Sequence, residues 1–252
     1  MNRMPFRTRT RANAIAATLV FAAAALVAPL VAPKIVVAQQ NTGSSGNAPS
    51  ALAPDIDPVS RMRLPVVKRA DLDDHGKMVF DKTTDTPNEP DKPVTGPSGI
   101  RMYSPLVAEH LNIVNQYLRR IPNLRLAELA ICNAAREANS PYEWSAHETA
   151  AQKAGVEQEI IDIVKFRKPL PAVGFVKGLG EKEHAIIALA REMLRSPNRV
   201  SSKTFATAKA QFGAKNLVEI VSLMAHYSAT AFLLNTFDIQ PNPSPNSPLT
   251  VP

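Results

Sequence analysis

The sequence predicts an all-α fold, and three observations carry that expectation. Apolar residues in the body of the chain recur at intervals of three and four, the period of a helix face. Alternating runs rich in Val, Ile and Thr, the mark of half-buried strands, are nearly absent. Ser-Pro pairs and glycines stand where the apolar stretches begin and end, as helix starts and stops require.

The first element is an export signal. Residues 1–11 carry Arg3, Arg7, Arg9 and Arg11, and residues 12–33 are a nearly continuous Ala, Leu and Val stretch with Pro29 and Pro33 near its end. Val36-Val37-Ala38 offers a cleavage site before Gln39, so residues 1–38 read as a signal peptide and the remainder as periplasmic or secreted. An uncleaved anchor is the alternative, because the apolar stretch nearly suffices to span a bilayer. After cleavage no stable membrane insertion is expected. Residues 39–60 are rich in Gly, Ser, Pro and Asn and read as a flexible linker. Residues 241–252 hold five prolines and read as a disordered tail. The folded domain is therefore expected at 61–240.

Within it, 71–83 suits a short helix. Ser104-Pro105 opens a helix in which Leu106, Val107, Leu111, Val114, Tyr117 and Leu118 share the period. Residues 124–138 form a near-continuous apolar helix, and Ser140-Pro141 starts another that runs to about 154, with Gly155 as its cap. Further helices are expected at 157–165, 181–195, 202–212 and 214–236, with a loop over 168–180. That makes six to eight helices in one domain.

Composition narrows the function. The chain of 252 residues has 29 basic and 22 acidic residues, a formal charge of +7. Five of the basic residues and no acid lie in 1–38, so the rest carries only +2, and no nucleic-acid partner is expected. A single cysteine excludes an intramolecular disulfide framework and a CxxC redox pair. The five histidines show neither HxxxH nor HExxH spacing, so no metal site is expected.

Glu128, Glu143 and His147 are the candidate catalytic residues. Glu128 lies inside LRLAELAICNAA, and an acid in so apolar a run needs a partner or a raised pKa. Its alternative role is an ion pair with Arg125 or Arg136. Glu143 and His147 are four apart and share a helix face, so the carboxylate can orient the imidazole and favour its protonated form. Ser140-x-x-Glu143 is also a capping box, which would account for Glu143 without catalysis. Arg125, Trp144 and His226 are candidate substrate-binding residues. Arg125 offers a guanidinium for a substrate carboxylate, Trp144 adjoins Glu143, and His226 falls on a polar stripe with Glu219, Ser222 and Thr230. Cys132 reads as a small buried hydrophobe.

Three segments together, GPSGIRMYSPLVAEHLNIVNQYLR, LRLAELAICNAAREANSPYEWSAHETAAQKAGV and AFLLNTFDI, resemble the carboxymuconolactone decarboxylase family, which includes the alkylhydroperoxidase D-like proteins. The resemblance covers roughly 61–240. It implies an alkylhydroperoxidase D-like helical domain, a homo-oligomer (trimer or hexamer) with sites near subunit contacts, and no cofactor. The peroxidase branch carries a Glu, a CxxC and a His at set spacings. Here Glu128 and His147 stand at the matching places, and Ser140 and Glu143 replace the two cysteines. A dithiol mechanism lacks its thiols. The resemblance thus implies a cofactor-free lyase or proton-transfer enzyme acting on a small acidic, lactone-like molecule. The alternative is an exported, non-catalytic binding or assembly protein on the same fold.

Overall fold

The computed structural model describes residues 52–84, 92–120, 123–241 and 248–250. The expected signal peptide, most of the linker and most of the tail lie outside these. Among the described residues there are eight α-helices, one 3-10 turn and no strand. The helices are α1 (Asp74–Thr84), α2 (Gly96–Arg101), α3 (Pro105–Leu118), α4 (Leu124–Glu137), α5 (Pro141–Lys153), α6 (Gln158–Lys165), α7 (Glu181–Leu194) and α8 (Ser202–Thr236).

The middle of the bundle is α4. Asn123 caps it, its side chain accepting from the Leu126 N–H at 2.9 Å. Every residue from Leu126 to Arg136 is buried. A helix that is apolar nearly all round belongs in the centre, and α5, α6, α7 and α8 pack about it. Ile131, Ile160, Ile186, Ile187 and Leu223 are core residues of this packing.

Ser201 caps α8 through the Thr204 N–H. Gly213 then interrupts it at φ 71°, ψ 170°, so two helical stretches meet there, as the sequence predicts. As a whole α8 is long and apolar enough to cross a membrane, yet 56% of its apolar 18-residue window is buried inside the bundle. It is a core helix. The short α2, absent from the sequence expectation, packs on α3 and α8.

The folded body reaches beyond both expected boundaries. Part of the expected linker is ordered: Ile56 is buried, and the Asp57 carboxylate accepts from the Val59 and Ser60 N–H groups at 3.0 and 2.8 Å. Arg61 and Arg63 exchange backbone hydrogen bonds with Gln240 and Phe237 beyond the end of α8. In the proline-rich tail Leu249 joins the main core. Each segment places an apolar side chain, Ile56 or Leu249, in a buried position, which composition alone does not reveal.

Candidate functional site

Glu128 projects from α4 and His147 from α5 into the seam between them. The His147 Nδ1–H donates to Glu128 Oε2 at 2.6 Å. Glu143, one turn earlier on α5, holds Oε2 3.4 Å from His147 Nε2. Arg119, just past α3, donates from Nη2 to the other Glu128 oxygen at 2.9 Å. All three candidate catalytic side chains are buried. Burial opposes the charge on His147, but the hydrogen bonds and negative charges of Glu128 and Glu143 outweigh it and raise the imidazole above its ordinary value. Burial also works against the Glu128 anion, and the His147 and Arg119 contacts prevail, holding the carboxyl below its ordinary range. Both sites of the pair are thus biased towards carboxylate and imidazolium.

This pair backs onto a cavity of about 170 Å³ between α2, α3, α5 and α8. His147 and Glu143 form its α5 wall, Asn112 and Asn115 its α3 wall, and His226, Tyr227 and Thr230 its α8 wall, while Arg101 enters from α2. The Tyr227 ring meets His147 edge-on, with 5.0 Å between centroids. Burial raises the Tyr227 phenol far above its ordinary value, so it stays a neutral donor. Burial and the Arg101 charge lower the His226 imidazole, so it is neutral near pH 7.

Of the six residues singled out from sequence, the structure brings four to this place: Glu128, Glu143, His147 and His226. The other two lie elsewhere. Arg125 donates to the carboxylates of Glu157 and Glu183 and to the carbonyls of Gly155 and Gly178. It fastens the turn after α5 to the 168–180 loop and to α7, with no donor directed at the cavity. Trp144 points into the core, 1% exposed, with the Lys165 ammonium 5.8 Å from its ring centroid. Residues 100° apart on a helix face different neighbours, which separates Trp144 from Glu143.

The capping box does not form. Ser140 makes no side-chain cap bond and its hydroxyl has no partner, so Glu143 is free to face His147. Nor does Glu128 pair with Arg125 or Arg136; its guanidinium partner is Arg119. The stripe on α8 divides. His226 and Thr230 line the cavity, while Glu219 accepts from the Tyr117 hydroxyl and the Lys215 ammonium at 2.6 and 2.7 Å. Arg101, Arg119 and Tyr227 escaped the sequence reading. Arg101 sits between glycine-rich and apolar residues, and Tyr227 adjoins His226, but neither carries a spacing that distinguishes it. Cys132 is buried in α4, its thiol pushed well above the ordinary value by burial and by the charges of Glu128 and Glu148.

No family model matches the chain, and no sequence among curated proteins matches it. Among solved structures it is similar to a cysteine-to-alanine variant of the debrominase Bmp8 in complex with 2,3,4-tribromopyrrole. The two share 14% identity and a TM-score of 0.53, over 70% of this chain and 90% of that one. At that identity the likeness establishes a shared helical fold, one that in the neighbour serves an enzyme.

Proposed function

We propose that the chain is a cofactor-free lyase or proton-transfer enzyme of the carboxymuconolactone decarboxylase type, acting on a small acidic, lactone-like molecule. The observation that carries this reading is the buried Glu128–His147–Glu143 array behind a polar cavity that opens to solvent. The resemblance in the 96–156 segments supports it, as does the enzymatic character of the structural neighbour.

The chemistry follows from the geometry. In decarboxylation the bond between the substrate carbon and its carboxylate breaks. CO₂ leaves, and the electron pair passes into an enolate delocalised over the lactone carbonyl. The site must then stabilise an oxyanion and protonate a carbon. Tyr227, kept neutral by burial, supplies an O–H towards developing negative charge. The His147 Nε2–H gives its proton to the carbon, while Glu128 holds Nδ1 and fixes the ring. A proton from solvent restores the imidazolium, with Glu143 beside Nε2 to steady it. A thiol peroxidase has no support in this site, because Cys132 is buried, its thiolate is disfavoured, and the sequence has no second cysteine.

The test is CO₂ release from carboxymuconolactone by the purified protein, with His147→Ala beside it. We expect release by the parent and a loss of about 10²–10⁴-fold in the variant, the range for a positioned acid or base. Release unaffected by the substitution would overturn the assignment of His147. No release by a folded parent would overturn the reaction.

A further inference from the structure

Among the described residues Arg101 and Arg136 are buried guanidiniums outside any ion pair, and of the two Arg101 is the one on the cavity wall. Only 6% of the residue is exposed, and no carboxylate among the described residues lies within ion-pairing distance of it. One of its five N–H groups is accounted for: Nη2 donates to the Thr230 hydroxyl at 2.5 Å. Nε is buried and has no partner. Burial lowers the Arg101 guanidinium below its ordinary value, and the Glu143 charge, acting from beyond ion-pairing distance, only partly offsets it. The other guanidinium of the cavity differs. Arg119 spends its charge on Glu128 and lies at the surface, its side chain 42% exposed. The remaining unpartnered groups on the cavity wall, Glu143 Oε1 and Asn115 Oδ1, are acceptors. Arg101 is therefore the cation on this wall without a carboxylate in hydrogen-bond contact, whereas Arg119 is bound to Glu128 and His147 lies between Glu128 and Glu143.

We propose that Arg101 is the anchor for a substrate carboxylate, and that the cavity takes a molecule of one ring bearing that carboxylate. The inference rests on the reading of this cavity as a site for a small acid, and it names the group that selects the acid. A guanidinium meets a carboxylate through two parallel N–H donors, and Arg101 retains the N–H groups of Nη1 and the second N–H of Nη2 for such a contact. The cavity of about 170 Å³ has room for one ring, since a cavity of about 150 Å³ holds benzene. The anchored carboxylate is the one the substrate keeps. Pairing with a guanidinium stabilises the charged ground state and so opposes loss of CO₂ from that same group. The reacting carbon accordingly lies at the other end of the ring, towards His147. Arg101 thus does the work that the sequence expectation gave to Arg125.

The probes are furan-2-carboxylate and furan-2-carboxamide, matched in shape and differing in charge, titrated calorimetrically into the purified protein, Arg101→Gln and Arg101→Lys. The parent is expected to bind the acid at least about tenfold more tightly than the amide. Arg101→Gln is expected to lose that preference and Arg101→Lys to keep part of it. Because the Gln variant removes an unpaired buried charge, it is expected to melt no lower than the parent. Equal binding of acid and amide by the parent, or binding of neither, overturns the anchor. So does an Arg101→Gln that keeps the preference, or one that melts well below the parent, which would mark Arg101 as structural. The comparison on the parent stands even where a variant fails to fold. A carboxylate preference without CO₂ release would sink the proposed reaction and leave the anchor. Release indifferent to Arg101 would do the reverse.

Discussion

His147 lies between two carboxylates at a depth where burial alone would keep its ring neutral. Glu128 takes Nδ1 at 2.6 Å and Glu143 lies 3.4 Å from Nε2, and together they reverse the effect of burial. The imidazolium therefore persists above the ordinary 6.5 of a histidine, and Glu128 stays ionised below its ordinary 4.5. Each shift is also a dependence of stability on pH. With its folded-state pKa raised, His147 contributes stability that is complete below 6.5 and lost as pH rises through the higher folded value. With its folded-state pKa lowered, Glu128 contributes stability that is complete above 4.5 and lost as pH falls through the lower folded value. The pair thus supports the fold most fully between pH 4.5 and 6.5. Thermal melts across pH are expected to peak in that window. His147→Gln is expected to flatten the alkaline side, and an alkaline slope unchanged in that variant would contradict the clamp. The same state suits a proton donor, because the acid form outlasts the pH at which a free histidine would have lost it.

At the scale of elements, legibility followed propensity. The helices that carry Glu128 and His147 announce themselves through a near-continuous apolar run and a Ser-Pro start with a glycine stop, so their existence and their candidate acids are readable from the sequence. The break in α8 is readable too, because Gly213 separates two periodic stretches. Its φ of 71° with ψ of 170° is a conformation that residues with a Cβ rarely adopt. No atom lies within 4 Å of where that Cβ would stand, so the constraint is in the backbone and not in packing. Gly213→Ala is therefore expected to cost about 1–3 kcal/mol in a urea titration, and a cost near zero would mean the break relaxes into continuous helix. By contrast α2 is illegible. Its six residues GPSGIR include two glycines and a proline, which work against a helix. Packing on α3 and α8 holds it, and the turn leading into it needs glycine, because a Cβ on Gly99 would stand 2.5 Å from the Val94 carbonyl oxygen. Missing α2 meant missing Arg101. Arg125 and Trp144 were misdirected for a related reason. Sequence gives the order of residues on a helix, but which neighbour each face meets depends on how α4, α5 and α7 pack.

Over the whole molecule, two segments compete for contact with a membrane, residues 12–33 and α8. Composition alone cannot rank them, since both are long and apolar. Burial can. More than half of the apolar window of α8 lies inside the bundle, and α8 carries Glu219, with two hydrogen-bond partners, and His226 on the cavity wall. Moving it into lipid would dismantle the core and strip those polar groups of their partners. We propose that the N-terminal stretch, with four arginines ahead of it and Val36-Val37-Ala38 behind, is the segment a secretion apparatus engages. The chemistry of the body agrees with an oxidising destination. Its one thiol, Cys132, is buried and held protonated, so it offers neither a target for oxidation nor a mispairing partner. We therefore propose export followed by cleavage before Gln39, which would cut the formal charge from +7 to +2. Mass spectrometry of the protein recovered from the periplasm of a Gram-negative host is the measurement. A chain starting at Gln39 is the expected outcome. An intact 27.3 kDa chain in the membrane fraction would instead make residues 12–33 a permanent anchor, and the same intact mass in the cytoplasm would overturn export itself.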